Sequence, residues 1–309
     1  MIQILNATAV HNRDAYGAAL KTALSARDLT ANISSDIPGD QVDYIIYAPN
    51  GTITDFTPFT NCKAVLSTWA GVDKITSNQT LTQPLTRMVD DGLKFGMVEW
   101  VSAHVLRYHL GIDAQIVNPD HIWDQTTPPL ACERAVTILG LGELGQACGQ
   151  MLAQLGFNVT GWSRSQKNID NITCLFGPDG LKQALATAEI LVLLLPNTPQ
   201  TDGLINADRL AQLPRGAFLL NPGRGPLIDD AALIEALDRG HLAHATLDVF
   251  RIEPLPQDDP FWSHPKVTVT AHVASETRVN TAVEVLADNI KRSEAGQSLN
   301  FLVDRDLGY

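Results

Sequence analysis

The chain has 309 residues, of which 45% are hydrophobic and 18% are charged. This length favours two domains over one large one, and the composition excludes a disordered chain because each domain can fill a core. Acidic residues outnumber basic ones by 34 to 22, which gives a net charge of −12. Such a surface repels nucleic-acid phosphates and anionic lipids, so we expect no nucleic-acid or membrane partner.

The chain shows no feature of a secreted, membrane or metal-binding protein. Its longest aliphatic run, residues 190–195, is far too short to cross a bilayer, and the N-terminal residues lack the pattern of a secretory signal. The four cysteines are dispersed without a CxxC pair. We therefore expect a cytoplasmic protein without a bound metal.

The first ~100 residues alternate short apolar runs with helical spacing. Tyr44–Tyr47 and Ala64–Ser67 are predicted strands, and residues 15–24 are a predicted helix. This pattern indicates a small α/β domain. Residues 98–110 are amphipathic and predict a connecting helix, whereas residues 118–132 are rich in proline and threonine and predict a surface loop.

From Arg134 onward, aliphatic strands alternate regularly with helices. Strands that are apolar on both faces predict a parallel sheet covered on both sides, and right-handed crossovers make it doubly wound. The predicted strands, in chain order, are RAVTIL, FNVTGW, EILVLLLP, RGAFLLN, HLAHATLDVF and KVTVTAH. This sheet is complete near residue 275, so the helix predicted over residues 277–295 is expected to return to the first domain.

A glycine motif follows the first of these strands and precedes a helix. Gly140, Gly142 and Gly145 form G-x-G-x-x-G, with Glu143 and Leu144 between the last two glycines. Glycines at this spacing permit a tight turn, close approach to a pyrophosphate and close packing of helix on strand. Residues 140–145 are therefore predicted to bind a dinucleotide, the alternative being a glycine-rich turn without a ligand.

The second strand ends in polar and basic residues where an NAD enzyme usually has an acid. Ser163, Arg164, Ser165 and Lys167 occupy this turn. An acidic side chain would repel a ribose 2′-phosphate, whereas these residues can neutralise it and donate hydrogen bonds to it. The turn predicts a preference for NADP(H), with NAD(H) still usable; the alternative is a solvated basic turn.

Three ionisable residues follow later strands, at the edge where ligands bind in open α/β sheets. Arg224 follows FLLN, Glu253 follows LDVF and His272 follows VTVT. Each alone could be a turn arginine, a surface carboxylate or a packed histidine. Together they supply a fork for a carboxylate, a proton donor and a partner for the imidazole, which are the parts that hydride transfer to a keto acid requires.

The motifs together resemble a known family. GLGELG, LPNTPQT, LNPGRG, LDVFRIEPLP and AHVAS, in this order between residues 134 and 275, resemble the D-2-hydroxyacid dehydrogenases. WSRS, WAGVD and the terminal VDRDLGY are most similar to the A-type glyoxylate/hydroxypyruvate reductases. The resemblance covers nearly the whole chain and is most specific in the second domain.

The resemblance implies roles for the matching positions. Arg224 would hold the carboxylate and carbonyl oxygen of the substrate, and His272 would be the acid/base with Glu253 as its partner. Asp248 would contact the nicotinamide carboxamide, and Pro196, in LPNTPQT, would contact the cofactor. In the first domain, the predicted substrate-binding residues are the backbone of Ala70, Gly71 and Val72 and the side chain of Trp69, which could equally be a core aromatic.

The family also implies an architecture. It predicts a Rossmann-type dinucleotide-binding domain over residues 99–275 and a smaller α/β substrate domain over residues 1–98 plus 276–309, with a cleft that closes on the ligands. It further implies a homodimer through the cofactor domain, with a contribution from the helix near Val98. The chain departs from the family pattern at Pro222 and Gly223, which leaves open the contacts of that backbone because proline lacks an N–H.

These observations predict NADP(H)-dependent reduction of glyoxylate, hydroxypyruvate or a similar short 2-oxo acid. Two alternatives remain at this stage. The first is an enzyme of the same family with a larger 2-hydroxy acid as substrate. The second is a binding protein that senses the dinucleotide and turns over little substrate.

Overall fold

The computed structural model describes residues 1–305 and 307–308; Asp306 and Tyr309, which belong to the terminal VDRDLGY motif, lie outside the described residues. The chain forms two compact units. The first comprises Met1–Leu93 and Glu276–Tyr309, and the second comprises Lys94–Ser275. The division thus falls at residues 93/94, rather than at the 98/99 boundary expected from the sequence.

The described part of the chain contains twelve strands and nine α-helices, joined by loops and short 3-10 turns. The strands are β1 (Ile2–Ala7), β2 (Ala31–Ser34), β3 (Tyr44–Tyr47), β4 (Ala64–Ser67), β5 (Leu85–Thr86), β6 (Ala135–Leu139), β7 (Asn158–Ser163), β8 (Thr173–Phe176), β9 (Ile190–Leu193), β10 (Ala217–Asn221), β11 (Leu242–Leu247) and β12 (Val267–Val269). The helices are α1 (Arg13–Ser25), α2 (Asp73–Thr76), α3 (Asp91–Leu110), α4 (Ile112–Ile116), α5 (Glu143–Gln154), α6 (Gly177–Ala186), α7 (Ala207–Leu210), α8 (Asp230–Asp238) and α9 (Val279–Glu294).

The first unit is built on a five-stranded parallel sheet in the order β2-β1-β3-β4-β5. Every residue of β3 and β4 is buried, which confirms the two strands predicted from their apolar runs. Tyr16 and Leu20 of α1 and Leu286 and Ile290 of α9 belong to a single apolar core with strands β1, β3 and β4. The last long helix of the chain therefore packs in this unit.

The second unit is built on a seven-stranded parallel sheet in the order β12-β11-β10-β9-β6-β7-β8. This topology confirms the predicted doubly wound fold. Strand β6 pairs with β7 on one side and with β9 on the other, so the chain order switches there. A crevice at the carboxyl ends of the strands at such a switch point is where ligands bind in open α/β sheets. One face of this sheet forms a core with α3 and α5, and the other with α6 and α8.

The structure contains strands that the sequence did not predict, among them β1, β2, β5 and β8, and it moves the start of helix α3. Helix α3 begins at Asp91 rather than near Val98, because the Asp90 carboxylate accepts hydrogen bonds from the backbone N–H groups of Gly92 (3.1 Å) and Leu93 (3.4 Å). Strand β8 was not predicted, since it is short and only half-buried at the sheet edge. Within the described residues, no helix is long and apolar enough to cross a membrane.

Candidate active site

The glycine motif forms a tight turn between β6 and α5. Gly140 has a φ of +107°, and a Cβ atom there would lie 2.5 Å from the carbonyl oxygen of Leu194. A Cβ atom on Gly145 would lie 1.8 Å from the carbonyl oxygen of Gly140, so helix and turn are in backbone contact. At Gly142, by contrast, a Cβ atom would meet nothing within 4 Å, and no side chain caps the start of α5. This open position beside a helix N-terminus fits the phosphates of a dinucleotide.

The turn after β7 presents its basic residues to solvent. Arg164, Ser165 and Lys167 are exposed, whereas Ser163 is buried and its hydroxyl donates a hydrogen bond to the carbonyl oxygen of Ser165 at 2.7 Å. Ser163 therefore shapes the turn, and the other three side chains are accessible to a ligand. No acidic side chain stands between Gly161 and Asn168 to repel a 2′-phosphate.

Pro196 lies in the loop that follows β9, next to the glycine turn. Leu194 donates its backbone N–H to the carbonyl oxygen of Leu139, the last residue of β6, at 2.8 Å. Two residues later, the carbonyl oxygen of Pro196 accepts a hydrogen bond from the Thr201 hydroxyl at 2.7 Å. Pro196 is thus half-buried at the same sheet edge as Gly140, and its cofactor contact stays a prediction.

Arg224 is carried by a turn that the side chain of Asn221 holds in place. The buried Asn221 amide donates to the carbonyl oxygen of Arg224 at 2.9 Å and accepts from the N–H of Gly223 at 3.2 Å. A Cβ atom on Gly223 would lie 2.7 Å from the carbonyl oxygen of Leu193, so this position has no room for a larger residue. Asn221 was missed in the sequence, although asparagine before Pro-Gly is typical of such turns.

Glu253 and His272 form a hydrogen-bonded pair. The Nδ1 atom of His272 lies 2.8 Å from Oε2 of Glu253, and the other oxygen, Oε1, accepts the backbone N–H of Phe250 at 2.9 Å. His272 has a φ of +54° and donates its own N–H to the carbonyl oxygen of Asp248 at 2.8 Å. About half of the imidazole is exposed, so one ring nitrogen is engaged by Glu253 while the ring stays accessible to a ligand.

Asp248 anchors the loop that carries His272. Its side chain is fully buried, and its two oxygens accept backbone N–H groups from Val273 and Ala274, each at 2.9 Å, as well as the Thr270 hydroxyl. Buried carboxylates need such partners because an unpaired charge inside a protein is costly. The nicotinamide contact expected of Asp248 stays a prediction; its observed contacts hold the segment 270–274.

The arginine and the acid–imidazole pair lie on neighbouring segments. A Cβ atom on Gly225 would lie 2.1 Å from the carbonyl carbon of Phe250, so the segments that carry Arg224 and Glu253 touch through their backbones. The structure therefore brings the Arg224 turn, the Glu253 loop and, through its hydrogen bond, His272 to one edge of the sheet. Chain order alone could place them at this edge but could not show the contacts between them.

The first-unit residues predicted to bind substrate lie between β4 and α2. Trp69 is 41% exposed and is therefore not a core aromatic. Its backbone is held by the Ser67 hydroxyl and by the N–H of Met88, which donates to the carbonyl oxygen of Trp69 at 2.9 Å. Val72 as a whole residue is only 2% exposed. The predicted substrate contacts of Ala70, Gly71 and Val72 are backbone contacts, and all remain predictions.

Comparison with known proteins identifies the family. The family model described as "D-isomer specific 2-hydroxyacid dehydrogenase, NAD binding domain" matches residues 104–274, more than half of the chain. The chain belongs to this family. A glyoxylate/hydroxypyruvate reductase A from Serratia proteamaculans is 41% identical over 255 residues, which are 80% of this chain and 82% of that protein. The resemblance inferred from the motifs is thereby confirmed.

Two solved structures of D-2-hydroxyacid dehydrogenases are similar over the whole chain. A dehydrogenase from Xanthobacter autotrophicus Py2 in complex with NADPH and MES has a TM-score of 0.91 and 38% identity, covering 100% of this chain and 99% of that one. The NADPH-dependent glyoxylate/hydroxypyruvate reductase from Sinorhizobium meliloti, in complex with NADP and sulfate, has a TM-score of 0.85 and 32% identity with the same coverage.

Proposed function

We propose that this protein is an NADPH-dependent reductase of short 2-oxo acids such as glyoxylate and hydroxypyruvate. The observation that carries the proposal is the His272–Glu253 pair, 2.8 Å apart, on the sheet edge that also carries the glycine turn and Arg224. A proton donor, its carboxylate partner and a guanidinium are what the reduction of a carbonyl beside a carboxylate requires.

Each of these residues has a separate role in the proposed reaction. Arg224 binds the substrate carboxylate and polarises the carbonyl oxygen through its planar set of donors. A dinucleotide held at the turn of residues 140–145 would supply the hydride for C2. Because Nδ1 of His272 is engaged by Glu253, the proton for the developing alkoxide is held on Nε2. Glu253 orients the ring and stabilises its charged form.

The preference for NADPH rests on the turn after β7. Arg164, Ser165 and Lys167 are exposed there, and the buried Ser163 shapes the turn. The similar proteins from Xanthobacter autotrophicus and Sinorhizobium meliloti are described with NADPH and NADP, respectively. The glycine turn, with its open position at Gly142, supplies the phosphate-binding half of the same site.

The proposal includes two further points: a homodimer formed through the second unit, supported by exposed apolar residues, and a cytoplasmic location, supported by the state of the cysteines. Five apolar side chains from the end of α4 to the start of β6 are 62% to 88% exposed: Ile116, Val117, Ile122, Trp123 and Leu130. A concentration of exposed apolar residues in one segment indicates a protein interface. All four cysteines are free, which supports a reducing compartment. Sedimentation analysis of the wild type and of Trp123→Ser tests the dimer. A monomer mass for the wild type, the same as that of Trp123→Ser, would refute it.

The test of function is a set of initial rates with NADPH and NADH against glyoxylate, hydroxypyruvate and larger 2-oxo acids. We expect a higher kcat/KM with NADPH and with the two short acids. A clear preference for NADH would refute the cofactor assignment. Faster turnover of larger acids would favour another substrate in the same family, and dinucleotide binding without turnover across the panel would favour a sensor.

A further inference from the structure

Arg251, two residues before Glu253, contacts several segments of the same sheet edge. Its Nη2 atom donates to the carbonyl oxygen of Ile228 at 2.7 Å and to that of Pro226 at 3.1 Å. Its Nη1 atom lies 3.3 Å from Oδ1 of Asp202. A single guanidinium therefore joins backbone carbonyls from one loop to a carboxylate from another.

The contacted segments follow strands β9 and β10, and Arg251 itself lies on the segment that follows β11. Pro226 and Ile228 belong to the loop that begins with Arg224, and Asp202 belongs to the loop after β9. These two loops also bond to each other, because Gly203 donates its N–H to the carbonyl oxygen of Pro226 and Ile205 donates to that of Leu227, both at 2.8 Å. Arg251 adds the third loop, which carries Glu253, to this arrangement.

We propose that Arg251 is a positioning residue that fixes the Arg224 loop relative to the Glu253–His272 pair. This inference rests on the proposed reductase function. The planar guanidinium has donors in a rigid fork, so it can hold two carbonyls and a carboxylate at once, which a lysine ammonium cannot reproduce. Displacement of catalytic groups by about 1 Å can lower rates by roughly 100-fold.

The contacts of Arg251 differ in kind from those of an ordinary surface arginine of the same unit. Arg239 is 75% exposed on its side chain and pairs with Glu235, four residues earlier on helix α8, at 2.9 Å. Exposed ion pairs of this kind contribute little to the stability of the folded protein. Arg251 is 40% exposed and reaches backbone oxygens 23 and 25 residues away in the chain. Arg239→Met is therefore a matched control for Arg251→Met.

The experiment compares wild type, Arg251→Met, Arg251→Lys and Arg239→Met by steady-state kinetics and NADPH titration. For Arg251→Met we expect kcat/KM for the 2-oxo acid to fall by about 10- to 100-fold. Arg251→Lys should recover part of this loss, and Arg239→Met should match wild type. NADPH affinity should change much less than kcat/KM, because the glycine turn does not involve Arg251. The pH midpoint of kcat/KM should not change in any variant, because the Glu253–His272 bond does not involve Arg251 either.

Hydrogen–deuterium exchange separates this inference from the proposed function. In Arg251→Met, the amides of Gly203, Ile205 and Asp229, which bond across the two loops, should exchange faster than in Arg239→Met. If wild type reduces no 2-oxo acid, the proposed function fails, and the exchange rates alone decide whether Arg251 holds the loops. Unchanged exchange, or a kcat/KM within twofold of wild type despite a lower Tm, would overturn the positioning role.

Discussion

The glycine turn and the Arg224–His272 edge are two halves of one candidate site, and they are built differently. The turn is a backbone structure within six consecutive residues, with close contacts at Gly140 and Gly145 and open space at Gly142. The edge consists of side chains from separate loops, joined by hydrogen bonds such as that between His272 and Glu253. A backbone site can be identified from local spacing, whereas a side-chain site depends on topology and on the residues that hold each loop.

Replacing His272 tests the side-chain half most severely. In His272→Ala, kcat for reduction should fall by about 10²- to 10⁴-fold, the usual contribution of a general acid. NADPH affinity, measured by fluorescence titration, should stay near wild type because the glycine turn is intact. Near-wild-type turnover would remove His272 from the mechanism.

Arg224→Lys tests the guanidinium without removing its charge. Lysine cannot form two parallel hydrogen bonds with a carboxylate, so KM for the 2-oxo acid should rise by about 10- to 100-fold. KM for NADPH should change much less, which initial rates at varied concentrations of each substrate will show. Equal effects on both KM values would argue that Arg224 does not contact the 2-oxo acid.

Gly142→Ala and Gly145→Ala are a matched pair within the backbone half. Gly142 has open space around its Cβ position, so Gly142→Ala should keep the wild-type Tm and weaken NADPH binding by about tenfold through closer crowding of the phosphates. Gly145→Ala would place its methyl group against the carbonyl oxygen of Gly140 and should lower Tm as well. Thermal melting with and without NADPH distinguishes the two, and equal Tm values for both variants would contradict this division of roles.

The smallest expected effect is on stability at acid pH and concerns His244, which belongs to neither the glycine turn nor the Arg224–His272 edge. Burial, followed by the nearby charge of Arg107, lowers the pKa of His244 from 6.5 to about 4. The unfolded chain therefore binds the proton between pH 6.5 and 4, whereas the folded protein does not. The stability that depends on neutral His244 is complete above about pH 6.5 and is lost as the pH falls toward 4.

Thermal melts from pH 7.5 to 4 check this expectation. Tm of His244→Asn should fall less steeply with acid than that of wild type, while its kcat at pH 7.5 stays unchanged because His244 bonds only to the Thr268 hydroxyl among the described contacts of its ring nitrogens. If Tm falls equally steeply with acid in both proteins, His244 binds its proton equally well in the folded and the unfolded state, and the expectation is wrong.

Local sequence patterns were sufficient to predict much of the fold and part of the candidate site of this protein. The spacing of Gly140, Gly142 and Gly145 between a strand and a helix indicated the turn, because glycine is required wherever backbones meet this closely. Aliphatic runs such as Ile190–Leu193 indicated buried parallel strands, since only a strand covered on both faces is apolar throughout. Together with the motifs around Arg224, Glu253 and His272, they determined the fold class and the family.

Tertiary structure decided what supports the site. Asp248 proved to be a buried anchor of the His272 loop, Asn221 the support of the Arg224 turn, and Arg251 the contact between three loops. The Asn221 contacts stay within its own turn, but the backbone partners of the Asp248 and Arg251 side chains lie 23 to 26 residues away in the chain, so local sequence does not reveal them. Periodicity and propensity act over a few residues, whereas these hydrogen bonds exist only once the parallel sheet has brought distant loops to one edge.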